Sequence, residues 1–273
     1  SDKLLRQLTD AGLKEKYGNC CNEFINKRIN HELDSIIKNG YSVLYMIAQK
    51  VVAFSNENGY VVGSRGSVGS SFVAHLLNIT EVNPLKPHWF CQNCGAVIFN
   101  EDEAYEHGFD LPDKICSCGN KMKKDGANIP FETFMGFHGD KIPDIDMNIP
   151  DEFQQQSHLF LREFFGESNV FKAGTILTIQ EKTAKMMANK YLEKINCPND
   201  YYELEYIASN IEGSKRSTSA HPGGLMIIPA NNSVYDFTAI QYPANDSDSM
   251  PTTHYEYKYL HDAIVKIDAL GHV

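Results

Sequence analysis

Long apolar runs are missing from this sequence of 273 residues, and that absence bounds it first. No stretch approaches the roughly 20 consecutive apolar residues of a membrane helix. No secretory signal, with a basic start and a short apolar run, opens the chain. Basic excess is missing too: 25 Lys and Arg face 35 Asp and Glu, for a net charge of −10. A general basic coat for polynucleotides is therefore excluded, although a few local phosphate contacts are not. Walker A chemistry is absent, because no Lys-Ser/Thr pair follows the last glycine of the Gly-rich stretch at 63–69. Internal repeats and low-complexity runs are lacking as well. The seven cysteines are odd in number, and four fall in two close pairs, which without a signal reads as intracellular metal binding and not as a disulfide frame.

What is present is ordinary globular material, 42% hydrophobic and 22% charged. Residues 1–55 carry helical spacing, as in HELDSIIKNGYSVLYMIAQKVVAFS. NGYVVGS is expected as a short strand ending in glycine, with SSFVAHLLNI helical after it. Composition shifts toward Cys, Gly, Asp and Lys between Pro84 and Pro130, marking an inserted module. FQQQSHLFLREFFG, TAKMMANKYLEKI and YYELEYIASNIEG read as helices. GGLMIIPA, TTHYEYKY and AIVKIDALG read as strands. SDKLLRQL resembles a cut or a tag scar, and KIDALGHV stops just past an apolar run, so a fragment of a longer protein is expected.

Three features carry chemistry. In PDIDMN a strand conformation would project Asp144 and Asp146 to one face, with Ile145 and Met147 on the other. Two like charges so placed call for a cation or a shared proton; a solvated turn beside Pro143 and Asn148 is the plain alternative. A two-metal site wants a further carboxylate, and Asp268, alone in an apolar strand pattern, is the best candidate. Its alternative is a strand-end acid facing water. VVGSRGSVGSSF reads as strand, small-residue turn and helix start, where backbone N–H groups and Arg65 suit an anion; tight packing or a helix cap would also explain it. Lys215, Arg216 and His221, in GSKRSTSAHPGG, supply positive charge among small residues, or form a solvated basic loop.

Cys91-Gln-Asn-Cys94 and Cys116-Ser-Cys118 enclose residues 95–115 between them. Paired cysteines so separated suit one tetrahedral zinc, and four thiolates leave no open position for water, so its role would be structural. Cys20, Cys21 and Cys197 read as ordinary residues.

Taken in order, GSRGSVGSSFVA, ITEVNPL, the four-cysteine insert, IPFETFMGF, PDIDMN, KAGTI, KRSTSAHPGG, YDFTAIQYPA and KIDALGH closely resemble the palm region of the PolC-type replicative DNA polymerases, the family C enzymes of low-GC Gram-positive bacteria. The resemblance covers nearly the whole chain and is weakest over the first twenty or so residues. It departs at Cys116-Ser-Cys118, where the family has CxxC. The resemblance implies an α+β fold: a polymerase-β-like nucleotidyltransferase palm of mixed sheet and flanking helices, with a helical thumb insertion and a small cysteine zinc module. It divides the chain into palm (1–84), zinc insert (85–130), palm with the DxD strand (131–176), thumb (177–212) and final palm (213–273). It places two Mg²⁺ on Asp144, Asp146 and Asp268, and structural Zn²⁺ on Cys91, Cys94, Cys116 and Cys118. Gly63, Ser64, Arg65, Gly66, Ser67 and Ser70 fall on its triphosphate turn, and Lys215, Arg216 and His221 on its basic active-site segment. Expected partners are primer–template DNA and deoxynucleoside triphosphates, with sliding clamp and replisome contacts through regions absent here, in the cytoplasm and without membrane. Two rivals stand beside this reading. A non-catalytic zinc-ribbon binding module would leave the three aspartates idle, and a stand-alone metal-dependent nucleotidyltransferase or phosphohydrolase would act on small nucleotides.

Overall fold

Asn22 begins the clearest local argument: its side chain accepts from the backbone N–H groups of Phe24 and Ile25 and starts a helix whose Ile25, Ile29, Leu33 and Ile36 all face inward. The computed structural model describes residues 1–136, 141, 143–197, 200–242, 250–261 and 263–272. Phe137, Pro243, Ala244 and Val273 of the quoted motifs lie outside them. The chain forms two compact units, 1–164 with 267–273, and 165–266.

The first unit opens with three helices, α1 (Asp2–Tyr17), α2 (Glu23–Lys38) and α3 (Ser42–Glu57). Gly12 of α1 sits so close to the Leu76 carbonyl oxygen that a Cβ there would approach it to 2.1 Å. The short strand β1 (Gly63–Arg65) leads through a 3₁₀ turn (Gly66–Ser70) into α4 (Phe72–Leu76). The strand expected at 58–64 is thus displaced. Gly59 has φ 82° and Tyr60 N–H returns to the Ser55 carbonyl, so Tyr60 belongs to the end of α3, its ring stacked on Phe153 at 4.4 Å.

The cysteine module follows as a three-stranded antiparallel sheet of β2 (His88–Phe90), β3 (Val97–Phe99) and β4 (Lys123–Asp125), with β2 central. Its two roots are zipped together: the N–H groups of Ala127, Asn128 and Ile129 donate to the carbonyls of Asn83, Leu85 and Pro84. After α5 (Glu132–Met135), β5 (Asp146–Pro150) runs directly into α6 (Asp151–Phe165).

In the second unit β6 (Val170–Thr178) is followed by a helical insertion, α7 (Glu181–Lys194) and α8 (Tyr201–Ile211), whose contact is built on Ala184, Ala188 and Ala208. β7 (Lys215–Ile227) returns antiparallel to β6, and β9 (Thr252–Glu256) lies on the other side of β6, with β8 (Ile240–Gln241) outside it. The basic segment, for which a solvated loop was the plain alternative, is therefore strand. Ser217, Thr218 and Ser219 have no apolar alternation to announce it, yet they pair with Leu177, Ile176 and Thr175. Pro222, which lacks a ladder donor, falls in the register shift between Ala220 and Leu225. β10 (Val265–His272) closes the chain, its residues from Ile267 belonging to the first unit. The fold is mixed α+β with flanking helices. Among the described residues no helix is long and apolar enough to cross a membrane.

Candidate active site and metal centre

β5 lies between β1, antiparallel to it, and β10, parallel to it. Register pairs Asp146 with Arg65 on one side and with Asp268 on the other. Residues opposite one another across strands project to the same face, so Arg65, Asp146 and Asp268 form one row. The choice of face is enforced by the core: Ile145, Met147 and Ile149 are buried at 3%, 0% and 0% exposure on the other side. Asp144 precedes the strand rather than lying in it, but the alternation of exposed Asp144, buried Ile145 and half-buried Asp146 keeps both acids on one side.

One carboxylate oxygen from each of Asp144, Asp146 and Asp268 lies within 4.8 Å of the others. Mg²⁺ holds oxygens at about 2.0–2.1 Å, so ligands of one ion stand about 3–4 Å apart. Three hard oxygen donors at this spacing fit such a cation. Asp268 is buried, between Ile267 and Ala269, which are themselves buried.

The Gly-rich turn divides. Gly66, at φ 75°, adopts a left-handed conformation, and a Cβ on it would stand 3.9 Å from Asp146 Oδ2, so the turn passes directly beside the carboxylates. Gly63 is in register with Asn148, on the Asp146 face, and Ser67 is half-buried. Ser64 is not on that face. It pairs with Met147 in register, and its hydroxyl bonds Thr80 Oγ1 at 2.7 Å and Glu81 Oε2 at 3.1 Å. Ser70 is buried, its carbonyl accepting from Arg28 Nη2 at 2.9 Å.

The helix start after the turn is already occupied. Glu32 Oε1 accepts from Phe72 N–H and Oε2 from Val73 N–H, both at 3.0 Å, while Ser71 Oγ accepts from Ala74 N–H at 3.1 Å. The anion that the sequence pattern places at the α4 N-terminus is thus a side chain of this chain. Arg28, Glu32 and Tyr45 escaped the sequence reading. The available signal was a glutamate on the apolar stripe of α2, beside Leu33.

Lys215, Arg216 and His221 all lie on β7 in the second unit. Lys215 and Arg216 are exposed and, as strand neighbours, project to opposite faces. His221 Nδ1 accepts from Gly224 N–H at 2.9 Å, which ties it to the bulge.

In the cysteine module the two pairs interleave: Cys91 Sγ lies 3.5 Å from Cys118 Sγ, and Cys94 Sγ 3.4 Å from Cys116 Sγ. All four sulfurs fall within 4.8 Å of one another. Zn–S bonds of about 2.3 Å in a tetrahedron place sulfurs about 3.8 Å apart, close to these distances. The shortened second pair is accommodated by a tighter turn. Gly95 N–H reaches back four residues to the Cys91 carbonyl, whereas Gly119 N–H reaches back three to that of Cys116. Both glycines have positive φ, 74° and 85°. The Asn120 amide donates to Cys118 Sγ at 3.3 Å, and with the Asn120 backbone and Cys91 it pulls the Cys118 thiol down to about 5. The Cys118 backbone N–H likewise lowers Cys116. Against the lowering pull of the Ala96 backbone, contact with Cys116 pushes the Cys94 thiol up to about 12, so it is Cys116 and Cys118 that are held in the thiolate, ligand form. Among the described residues, buried Trp89, Leu111 and Met122 join Cys91 and Cys116 in a small core, with half-buried Ala96 and Tyr105 against it, little to hold a module without a staple. The cluster is consistent with a structural zinc site.

An acidic row on a mixed sheet, a glycine turn beside it and a cysteine module inserted between them define a class that comparison identifies. The profile of the bacterial DNA polymerase III alpha NTPase domain matches residues 3–200 and 185–271, and the chain belongs to that family. It is 54% identical over 274 residues to the DNA polymerase III PolC-type of Thermotoga petrophila, and 53% to that of Thermotoga maritima. Each alignment takes in 100% of this chain and 20% of the relative. Identity to the DNA polymerase III PolC-type of Staphylococcus epidermidis is 47% over 270 residues, 98% of this chain and 19% of the relative. The chain thus spans about a fifth of the length of these relatives.

Proposed function

We propose that this chain is the catalytic palm region of a DNA-directed DNA polymerase, adding deoxynucleotides to a primer in the cytoplasm as part of a longer protein. The observation that carries the reading is the convergence of Asp144, Asp146 and Asp268 within 4.8 Å beside the Gly66 turn. These acids would hold two Mg²⁺, which when bound acidify the primer 3′-hydroxyl and neutralise charge on the phosphates. The new bond joins the primer 3′-oxygen to the α-phosphorus of the incoming triphosphate, and the bond to pyrophosphate breaks. Gly66 lets backbone approach the triphosphate without a side chain in the way, and Arg65, in the carboxylate row, orients its phosphates. Lys215, Arg216 and His221 serve as further phosphate contacts. Cys91, Cys94, Cys116 and Cys118 hold Zn²⁺ to shape the module, with no part in the chemistry. Primer–template DNA is the partner; a sliding clamp and the remaining replisome would meet regions outside this chain.

Primer extension by the full-length enzyme tests this. Asp144→Asn, Asp146→Asn and Asp268→Asn should each lose at least about a hundredfold in nucleotide addition while circular dichroism stays unchanged. Near wild-type extension by any one removes that residue from the ligand set. Modification of a free nucleotide without use of a primed template would replace the polymerase with a small-nucleotide transferase.

A further inference from the structure

Glu32 is fully buried, at 0% exposure, and it is bonded on every side. Besides Phe72 and Val73 it accepts from Ser71 Oγ at 2.9 Å and pairs with Arg28 Nε, one helical turn earlier on α2. Arg28 Nη2 in turn donates to the carbonyls of Ser70, at 2.9 Å, and of Ile129, at 3.2 Å. Tyr45 of α3 donates to Ser71 Oγ at 2.9 Å. Residues 70–73 are therefore clamped by α2 and α3, and the same guanidinium holds the segment at Ile129 that leaves the cysteine module.

We propose that Glu32, held by Arg28, is a positioning residue for the substrate turn: it fixes where Arg65 and Gly66 stand over Asp146. The proposal rests on the nucleotide-binding reading of that turn. A buried ion pair is poor evidence of added stability, since desolvation offsets its attraction; its best-attested use is to select one conformation. Here the conformation selected is that of a turn with exposed, left-handed Gly66 at one end and buried Val68, Gly69 and Ser70 at the other, next to the clamp. With the first N–H groups of α4 taken by a carboxylate, that helix offers a phosphate no seat. A triphosphate is left to the open side of the turn, beside Asp146.

The test uses full-length enzyme and single-nucleotide incorporation, measuring KM for the triphosphate, kcat, primer–template affinity and melting temperature. Glu32→Gln keeps the shape but cannot accept from Val73 N–H and Ser71 while pairing with Arg28. It should raise KM for the triphosphate about tenfold, with kcat changed less than about threefold and primer–template affinity unchanged. Tyr45→Phe removes one hydroxyl, preserves folding, and should raise the same KM about threefold. Unaltered KM in both variants, with only a lower melting temperature, would overturn the positioning role. If Glu32→Gln fails to fold, Tyr45→Phe decides alone. A wild-type enzyme that extends no primer would sink the polymerase reading itself, a result separate from either variant's behaviour.

Discussion

Three carboxylates within 4.8 Å make a specific demand on stability, and Asp268→Asn exposes it. At that separation two unit charges repel by about 0.9 kcal/mol in water and about 3.5 kcal/mol at an effective dielectric of 20. Asp268 enters two such pairs, with Asp146 and Asp144, so its charge carries about 2–7 kcal/mol of repulsion before compensation. Arg65, in the same row, and the water around exposed Asp144 offset most of it. A net gain of about 1–2 kcal/mol should remain when the buried carboxylate becomes an isosteric amide. For a chain of this size that is a rise of about 2–4 °C in melting temperature without divalent metal. Divalent metal should reverse the ranking. Mn²⁺ at about a hundred times its Kd stabilises a binding-competent fold by about 2.7 kcal/mol, so wild type should climb by several degrees and the variant by little. The assay is thermal melting of both proteins in chelator and in Mn²⁺. A variant that melts below wild type in chelator, or that responds to Mn²⁺ equally, would refute the account of these acids as a cation site.

Metal analysis should find one zinc per chain, and Cys116→Ser with Cys118→Ser should abolish it; retention of full zinc would exclude the tetrathiolate set. His75, on α4, carries a pH signature: burial, aided by the Lys16 ammonium, lowers it from 6.5 to about 4. The unfolded chain then binds more protons between those values, so stability should fall as pH drops from about 6.5 to about 4, by up to about 3 kcal/mol, and His75→Gln should flatten the decline; a slope unchanged in that variant assigns it elsewhere. The isolated chain should extend no primer at about 150 mM salt. Two or three phosphate contacts at Arg65, Lys215 and Arg216 are all its −10 charge leaves, and each costs about 0.9 log unit of affinity per log unit of salt; a ladder of extended product on the gel would contradict this.

The helices were legible because their apolar residues recur at helical spacing: Ile25, Ile29, Leu33 and Ile36 announce α2 without help. The carboxylate face was legible from Ile145 and Met147, since period 2 fixes which side each acid takes. Less could be read where polar residues carry structure. Ser64 and Ser67 look alike in sequence, yet one lies on the far face of β1 because its neighbour Arg65 takes the near one. Lys215 to Ala220 contains no alternation, and only pairing with β6 makes it strand. Glu32 was hidden for a different reason: beyond Arg28, its partners Ser71, Phe72 and Val73 lie about forty residues away, a distance that helix periodicity does not report.

The acidic row is aimed by the same apolar residues that anchor the sheet. A slip of β5 by one residue would turn Asp146 inward and carry Met147 to the acidic face, so the core that buries Ile145, Met147 and Ile149 also fixes the acids. β10 is held in register by the same logic, with Ile267 and Ala269 buried on either side of Asp268 and the Gln154 amide donating to the Ala269 carbonyl at 2.7 Å. The turn is enforced by burial only at its far end, where Val68, Gly69 and Ser70 are buried, while Gly66 and Ser67 bury less. Arg28, Glu32, Ser71 and Tyr45 add a polar clamp just beyond it. Metal ligands set by a hydrophobic core, and a substrate turn set by a buried polar clamp, would fail differently. Core substitutions should release the acids only on global unfolding. Loss of the clamp should loosen the turn while the sheet stays intact.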